Sequence, residues 1–276
     1  MKNALQKPLA QLERPLALVA CDLDGTLLNE NSEVSPENQK VLIDCLDQGI
    51  KVLLVTGRPY RFAKTLRDSL DPRIGIISYV GAYLDLDSES ENRAYPMSKA
   101  QIEQMLEISE NFDLECYLKS IDTVYAYNAP SGIGLYPKEI MQNVELKDPH
   151  LALNQEILKT IYFGRDYSQV LELRKALESC PEFTITDGGF GGCEVVRHDR
   201  NKGVALSEAL AYFGIPRAAS IAFGDSHNDL DLLAASGLGV AMGNATAELK
   251  AAADYVCLKN SEDGVAEVIK SILAEA

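Results

Sequence analysis

Two aspartates separated by a single residue, in Asp22-Leu23-Asp24-Gly25-Thr26, directly follow an apolar run over residues 16–21. Packing explains such a pair poorly. A parallel strand ending there delivers both carboxylates to the carboxyl edge of its sheet, where open α/β folds keep their sites. Gly25 and Thr26 let the chain turn sharply and offer backbone N–H groups to an anion. A site of this kind can hold a divalent cation, bind a phosphate beside it and attack that phosphate with a carboxylate. Taken alone, the pentapeptide also fits a strand followed by an acidic turn.

Three further groups have the chemistry to complete such a site. Thr56-Gly57-Arg58 closes a second apolar run, 50–55. A hydroxyl beside a glycine amide can donate two hydrogen bonds to phosphate oxygens, and the helix that begins just beyond adds a favourable field. The tripeptide equally describes an ordinary turn with a surface Arg58. Lys202 precedes Gly203 at the start of an apolar helix, where its ammonium can neutralise both a phosphate and a carboxylate nucleophile. Most lysines at helix starts are simply solvated. Gly224-Asp225-Ser226-His227-Asn228-Asp229 stands behind the apolar stretch 220–223. Asp225 is the expected direct ligand of an Mg²⁺ ion, with Asn228 and Asp229 orienting water, metal ligands or Lys202 from behind. His227 reads as structural or peripheral.

The elements that position these residues alternate in type. Strands are expected at 16–21, 50–55 and 74–79, with helices at 36–48, capped by Ser35, and at 59–70. This βαβαβ order implies a parallel sheet covered by helices. The style changes after residue 81. Segments 82–87 and 93–97 read as a hairpin, 99–110 as a helix, and 114–118 and 123–127 as strands. Further on, 137–144 reads as a short helix, 157–163 as a strand, 167–179 as a helix and 183–186 as a strand. Alternation then resumes, with helices at 202–213, 230–236, 245–252 and 264–274 and strands at 220–223, 239–242 and 255–258. The expected fold is therefore an α/β, Rossmann-like parallel-sheet core over 15–81 and 194–276. An α+β domain over 82–193 is inserted into it, and residues 1–14 form an extension that is either disordered or loosely docked. Two chain crossings between the domains favour a hinged cap over a cleft.

Within 276 residues there is room for a substantial core. A formal charge of −15, from 26 Lys and Arg against 41 Asp and Glu, argues against nucleic acid and anionic membrane as partners. No apolar run approaches the roughly 18 residues of a membrane helix, and the N-terminus lacks a secretory h-region. The six cysteines (Cys21, Cys45, Cys116, Cys180, Cys193, Cys257) show no Cys-x-x-Cys pair, as expected for reduced thiols in a cytoplasmic protein. The Gly-rich stretch Gly188, Gly189, Gly191 and Gly192 reads either as a loop approaching a ligand or as a linker between domains. Tyr125, Tyr127 and Arg165 are conceivable substrate contacts, although tyrosines in strands usually pack.

The four motifs, in this order and each at its expected strand or helix, resemble the haloacid dehalogenase superfamily. The insertion between the second and third resembles the Cof-type sugar-phosphatase subfamily with its α+β (C2-type) cap. The resemblance runs from about residue 16 to 273. It implies that Asp22 attacks phosphorus to form an aspartyl-phosphate, and that Asp24 protonates the leaving alkoxide and then activates water. It implies Mg²⁺ bound by Asp22, the Asp24 backbone carbonyl and Asp225. It also implies a phosphoryl group held by Thr56, Lys202, Asn228 and the amides of Leu23 and Gly57, with Asp229 behind them.

Asp at position 24 matches the superfamily's phosphatases and phosphomutases rather than its P-type ATPases, which carry Thr there. The implied substrate is a small phosphorylated metabolite, a sugar phosphate or a phosphorylated cofactor. A phosphomutase and a non-catalytic phosphometabolite-binding protein remain as alternatives, and the oligomeric state is left open. The sequence departs from the pattern at Tyr79-Val80-Gly81-Ala82, where many relatives read Asn-Gly-Ala, and at the charged run 197–201 before Lys202.

Overall fold

The computed structural model describes residues 12–87, 92–112, 114–128, 146–164, 166–187 and 191–274. They form two compact units, one comprising the described residues up to Arg93 and from Asn201 onward, the other Ala94–Arg200. The first begins with β1 (Leu18–Asp22), α1 (Pro36–Asp47), β2 (Lys51–Val55), α2 (Tyr60–Leu70), β3 (Gly75–Ser78), β4 (Tyr83–Asp85) and β5 (Arg93–Ala94). The inserted unit follows as α3 (Lys99–Ser109), β6 (Glu115–Lys119), β7 (Val124–Tyr127), β8 (Leu146–Lys147), β9 (Lys159–Phe163), α4 (Tyr167–Glu178), β10 (Phe183–Asp187) and β11 (Cys193–Arg197). The first unit then resumes with α5 (Lys202–Phe213), β12 (Ser220–Gly224), α6 (Leu230–Ala235), β13 (Leu238–Ala241), α7 (Ala247–Ala252), β14 (Tyr255–Val256) and α8 (Gly264–Leu273).

The large sheet has the order β14-β13-β12-β1-β2-β3-β4-β5. Every pair from β14 to β3 is parallel. All five residues of β1 are buried, which is why its sequence runs as an unbroken apolar stretch rather than alternating. From β1 the chain builds outward through β2 and β3. After the insertion it builds the other way through β12, β13 and β14. The loops leaving β1 and β12 therefore diverge at a topological switch point, the place where doubly wound sheets open a crevice. Local signals fix the helices that line it. Ser35 accepts the Asn38 N–H at 3.1 Å to start α1, and the Asn201 side chain accepts the Val204 N–H at 2.7 Å to start α5. Gly214, in the left-handed region at φ 66°, ends α5.

The inserted unit holds a six-stranded sheet of order β10-β11-β9-β6-β7-β8. Cys116, Leu118, Tyr162, Cys193 and Val195 join residues of α3 and α4 in its core. Tyr125 and Tyr127 also belong to this packing. Period-2 alternation sends Glu115, Tyr117 and Lys119 to the opposite face of β6. Glu115 accepts from the Tyr117 hydroxyl at 2.6 Å, and Lys159 pairs with Glu194. Burial pulls Lys119 well below the ordinary lysine range, Lys159 adds to the effect and Glu194 opposes it. This buried charged face carried no signal in the sequence reading.

Several expectations need correction. The hairpin assigned to the insertion belongs to the large sheet, because the turn at 79–81 folds β4 back antiparallel on β3, pairing Ile77 with Leu84. At the other end, β11 is not core. It pairs with β10 and β9, so the return crossing falls at residues 200–201 rather than 193–194. Gly191 and Gly192 consequently lie between β10 and β11, inside the inserted unit, and are not a linker between units. A Cβ on Gly192 would stand 2.7 Å from the Phe163 ring. Residues 12–14 are docked: Leu12 is buried and the Arg14 guanidinium donates to the Ile272 carbonyl at 2.9 Å. Residues 1–11, the expected helix 137–144, Arg165, Gly188 and Gly189 lie outside the described residues.

Close approach of α5 to α6 brings Lys202 inward. A Cβ on Gly203 would lie 2.3 Å from the Asp231 carbonyl oxygen, a backbone atom that cannot step aside. Gly203→Ala is therefore expected to lose about 1–2 kcal/mol of stability in urea unfolding despite alanine's better helix propensity. A gain in stability would contradict this packing.

Candidate active site

The carboxyl end of β1 brings Asp22 to the switch point, 4% exposed. Beyond it the chain closes tightly, with Leu27 N–H on the Asp22 carbonyl at 3.2 Å and Leu28 N–H on the Leu23 carbonyl at 2.9 Å. Lys202, 1% exposed, reaches this point from the first turn of α5. Its Nζ donates to Asp22 Oδ1 at 2.7 Å, Asp229 Oδ1 at 2.6 Å and Asn228 Oδ1 at 3.1 Å. Three acceptors use all three ammonium protons. Asp229, fully buried, turns its other oxygen to the N–H groups of Asp225 and Ser226, both at 3.0 Å. It thereby fixes the β12 loop and the lysine together.

The electrostatics follow from burial. Desolvation works against the Lys202 ammonium, but Asp22 and Asp229 outweigh it and hold it above the ordinary lysine range. Burial pushes the Asp22 carboxyl well above the usual carboxylate range; Lys202 opposes this, while Asp229 and Asp225 add to it. Asp225 is pushed up to about 6, chiefly by burial and then by Asp229, against the pull of Lys202 and of the Thr26 hydroxyl.

The carboxylate oxygens of Asp22, Asp225 and Asp229 lie within 4.8 Å of one another. Three carboxylates against one ammonium leave two negative charges uncompensated in a buried space. Such an all-oxygen, doubly negative set fits a hard divalent cation. Within it, Asp229 is committed on both oxygens, which leaves Asp22 and Asp225 as the side-chain donors. Among the described residues the Asp225 side chain receives only a 3.4 Å contact from Thr26 Oγ1.

Asp24 differs from Asp22 in its surroundings. Its side chain is about half exposed, at 52%, and Arg58 grips it bidentately with one edge of the guanidinium, Nε reaching Oδ2 at 2.7 Å and Nη2 reaching Oδ1. The Arg58 guanidinium also stacks on the Phe62 ring, 3.9 Å from its centroid. By sequence alone Arg58 fits an ordinary surface turn. The signal lay in sheet order, since adjacent parallel strands pair Asp22 with Val55 and set the residues that follow side by side.

Thr56 is fully buried at the end of β2, its Oγ1 accepting the Arg58 N–H at 3.0 Å. Behind it, Val80 N–H and Tyr79 N–H hold the Thr56 and Arg58 carbonyls at 3.2 and 3.3 Å. Tyr79 and Val80 do this from the left-handed region, at φ 51° and 57°, a costly conformation for a β-branched residue. A Cβ on Gly81 would lie 2.4 Å from the Asn201 carbonyl, so the same turn abuts the start of α5. The structure thus brings Asp22, Asp225, Asp229, Asn228 and Lys202 into direct or shared contact. Leu23, Asp24, Thr56 and Gly57 follow the ends of the two central strands. His227 stands apart, its Nδ1 2.9 Å from Glu248 Oε2 on the surface.

Comparison with known proteins agrees with this geometry. Residues 19–269 match the family model of haloacid dehalogenase-like hydrolases. The 5-amino-6-(5-phospho-D-ribitylamino)uracil phosphatase YitU of Bacillus subtilis is 28% identical, covering 92% of this chain and 96% of its own length. YwtE of the same organism, which bears the same activity name, is 30% identical over 93% of this chain and 98% of its own. A crystal structure of a haloacid dehalogenase-like hydrolase from Bacteroides thetaiotaomicron superimposes with a TM-score of 0.79 at 28% identity, covering 93% and 99% of the two chains.

Two outcomes are expected. Lys202→Met leaves buried carboxylates unpaired and should cost about 3–5 kcal/mol in urea unfolding at neutral pH; unchanged stability would show that the lysine does not compensate them. A ligating carboxylate must be ionised, so affinity for a divalent cation by titration calorimetry should fall as pH drops through about 6, where Asp225 takes up a proton. In the metal-free protein the sign reverses. The folded state binds this proton more readily than the unfolded chain, so stability from this group rises as pH falls from about 6 toward 4. A flat affinity profile across that window would contradict the assignment.

Proposed function

Because this chain belongs to the haloacid dehalogenase-like hydrolases and is a phosphoric monoester hydrolase acting on phosphorylated substrates, we propose that it is an Mg²⁺-dependent phosphatase working through an aspartyl-phosphate on Asp22. One observation carries this reading: Asp22 is held by the buried Lys202 through Oδ1 alone, leaving Oδ2 without a protein partner among the described residues, with a second carboxylate two residues on. Lys202 screens the approach of an anionic phosphoryl group to an anionic nucleophile.

In the first displacement Asp22 Oδ2 bonds to phosphorus as the ester P–O bond breaks, and Asp24 gives its proton to the departing alkoxide. In the second, Asp24 takes a proton from water, whose oxygen bonds to phosphorus as the bond to Asp22 breaks. The phosphoryl oxygens are received by Thr56 Oγ1, the Asn228 amide and the N–H groups of Leu23 and Gly57, with Lys202, its protons committed, contributing its positive charge beside them. Asn228 suits this task because its carbonyl already faces Lys202, which frees its NH₂. Mg²⁺ would be held by Asp22, the Asp24 carbonyl and Asp225, and the chemistry it supplies when bound is neutralisation of the charge on the transferring group. Arg58 orients Asp24 between its two roles.

The substrate in this reading is a small phosphorylated metabolite. The names of YitU and YwtE make 5-amino-6-(5-phospho-D-ribitylamino)uracil the first compound to test, followed by sugar phosphates. The α+β insertion is assigned the part of the substrate-screening C2-type cap. The cytoplasm is the proposed location, supported by six free cysteines. Among the described residues no helix is long and apolar enough to cross a membrane.

The test is phosphate release from a metabolite panel with Mg²⁺ or EDTA, using wild type and Asp22→Asn. Release should require Mg²⁺ and fall at least about 10³-fold in the variant, as when a covalent nucleophile is removed. Release by Asp22→Asn at the wild-type rate would sink the mechanism. Transfer of phosphate between sugar positions with no net release would instead identify a mutase.

A further inference from the structure

Two asparagines outside the catalytic cluster hold the loop that follows β1. Asn244, in the turn after β13, donates from Nδ2 to the Gly25 carbonyl at 2.7 Å. Its Oδ1 accepts the backbone N–H of Asn260 at 3.0 Å, which sets the amide with its donor toward Gly25. Asn260 in turn donates from Nδ2 to the Leu28 carbonyl at 2.9 Å. The turn that carries Asn244 is tied to the other acidic loop as well. Met242 N–H bonds the Gly224 carbonyl and Thr246 N–H the Asp225 carbonyl, both at 2.9 Å. Asn244 therefore joins the loop after β1 to the loop after β12, the two loops that supply carboxylates to the site.

Gly25 is the point where this link bears on chemistry. It sits at φ 77°, and a Cβ there would fall 2.4 Å from Asp225 Oδ2, so its backbone lies directly against that carboxylate. Its nitrogen shares a peptide unit with the Asp24 carbonyl. A shift of Gly25 by a few tenths of an ångström changes both the position of that carbonyl and its separation from Asp225. We propose that Asn244 is a positioning residue for the divalent-cation site, setting the spacing between the Asp24 carbonyl and the Asp225 carboxylate by pinning the Gly25 carbonyl. This rests on the cation reading given above. Residues that hold ligands in place typically govern metal affinity by about 10- to 100-fold.

The experiment is titration calorimetry of Mg²⁺ into substrate-free wild type, Asn244→Ala, Asn244→Ser and Asn260→Ala, with thermal unfolding of each in EDTA. Asn260→Ala is the matched control. It also removes one side-chain bond to a carbonyl of this loop, but it keeps the backbone N–H that orients Asn244. Asn244→Ala and Asn244→Ser should bind Mg²⁺ about tenfold or more weakly, and Asn260→Ala should bind near the wild-type value. In turnover, the Asn244 variants should need more Mg²⁺ and keep the substrate KM once Mg²⁺ is saturating. Equal Mg²⁺ affinity in all four proteins, or an equal loss in the Asn244 and Asn260 variants, would reduce Asn244 to a loop fastening and overturn the proposal. Failure of wild type to bind Mg²⁺ would overturn it too. Mg²⁺ binding that follows the expected order, in a protein that releases no phosphate from any compound, would uphold Asn244's role while defeating the phosphatase reading.

Discussion

A single ammonium compensates a buried group of carboxylates, and much of the chain is arranged around that contact. Lys202 meets Asp22 across 180 residues of sequence and Asp229 across 27. An uncompensated carboxylate in such a place costs far more than a surface ion pair returns. The helix carrying the lysine must therefore begin at one spot. Asn201 caps it there, Gly203 lets it close on α6, and Gly81 lets the turn before β4 pass beneath its first residue. An insertion of more than a hundred residues is tolerated because the chain leaves and rejoins the first unit without disturbing this contact.

Two carboxylates two residues apart are given different work by their surroundings. Asp22 is buried and bound to a fixed cation, whereas Asp24 is half exposed and held by an arginine that itself leans on an aromatic ring. In the proposed mechanism the first stays in place to form a bond to phosphorus. The second has the solvent access that moving protons requires. Separation of roles by environment is a general route to acid and base chemistry from one residue type. The negative charge left over after Lys202 has been counted is what selects a divalent cation. Burial, with Asp229 adding to it, raises the Asp225 carboxyl toward the range in which protons compete with metal.

Much of this was legible because the signals were local. Unbroken apolar runs marked β1, β2 and β12 as buried parallel strands, and carboxylates at their ends marked the sheet edge. Ser35 marks a helix start by capping chemistry. What escaped depended on pairing between distant segments. The hairpin at β4 and β5 reads as part of the insertion because antiparallel style suggests a new domain, yet its partner is β3. Residues 194–197 read as core because nothing in Glu-Val-Val-Arg says which sheet it joins. Arg58 reads as a surface residue and Asn244 carries no signal of its own, because their partners, Asp24 and the Gly25 carbonyl, lie 34 and 219 residues away. The left-handed Val80 could not be read from a β-branched residue that normally avoids that conformation.

The central claim is that Asp22 bonds to phosphorus, and trapping that bond tests it most directly. Wild-type protein with Mg²⁺ would be mixed with a general phosphoryl donor such as p-nitrophenyl phosphate, quenched in acid within its first turnover, and digested for mass spectrometry. The account predicts that the peptide containing Asp22 gains the mass of one phosphoryl group, that the label maps to Asp22, and that it decays at the rate of phosphate release. Phosphate release at full rate with no phosphorylated peptide at any quench time would contradict it and point to direct attack by water.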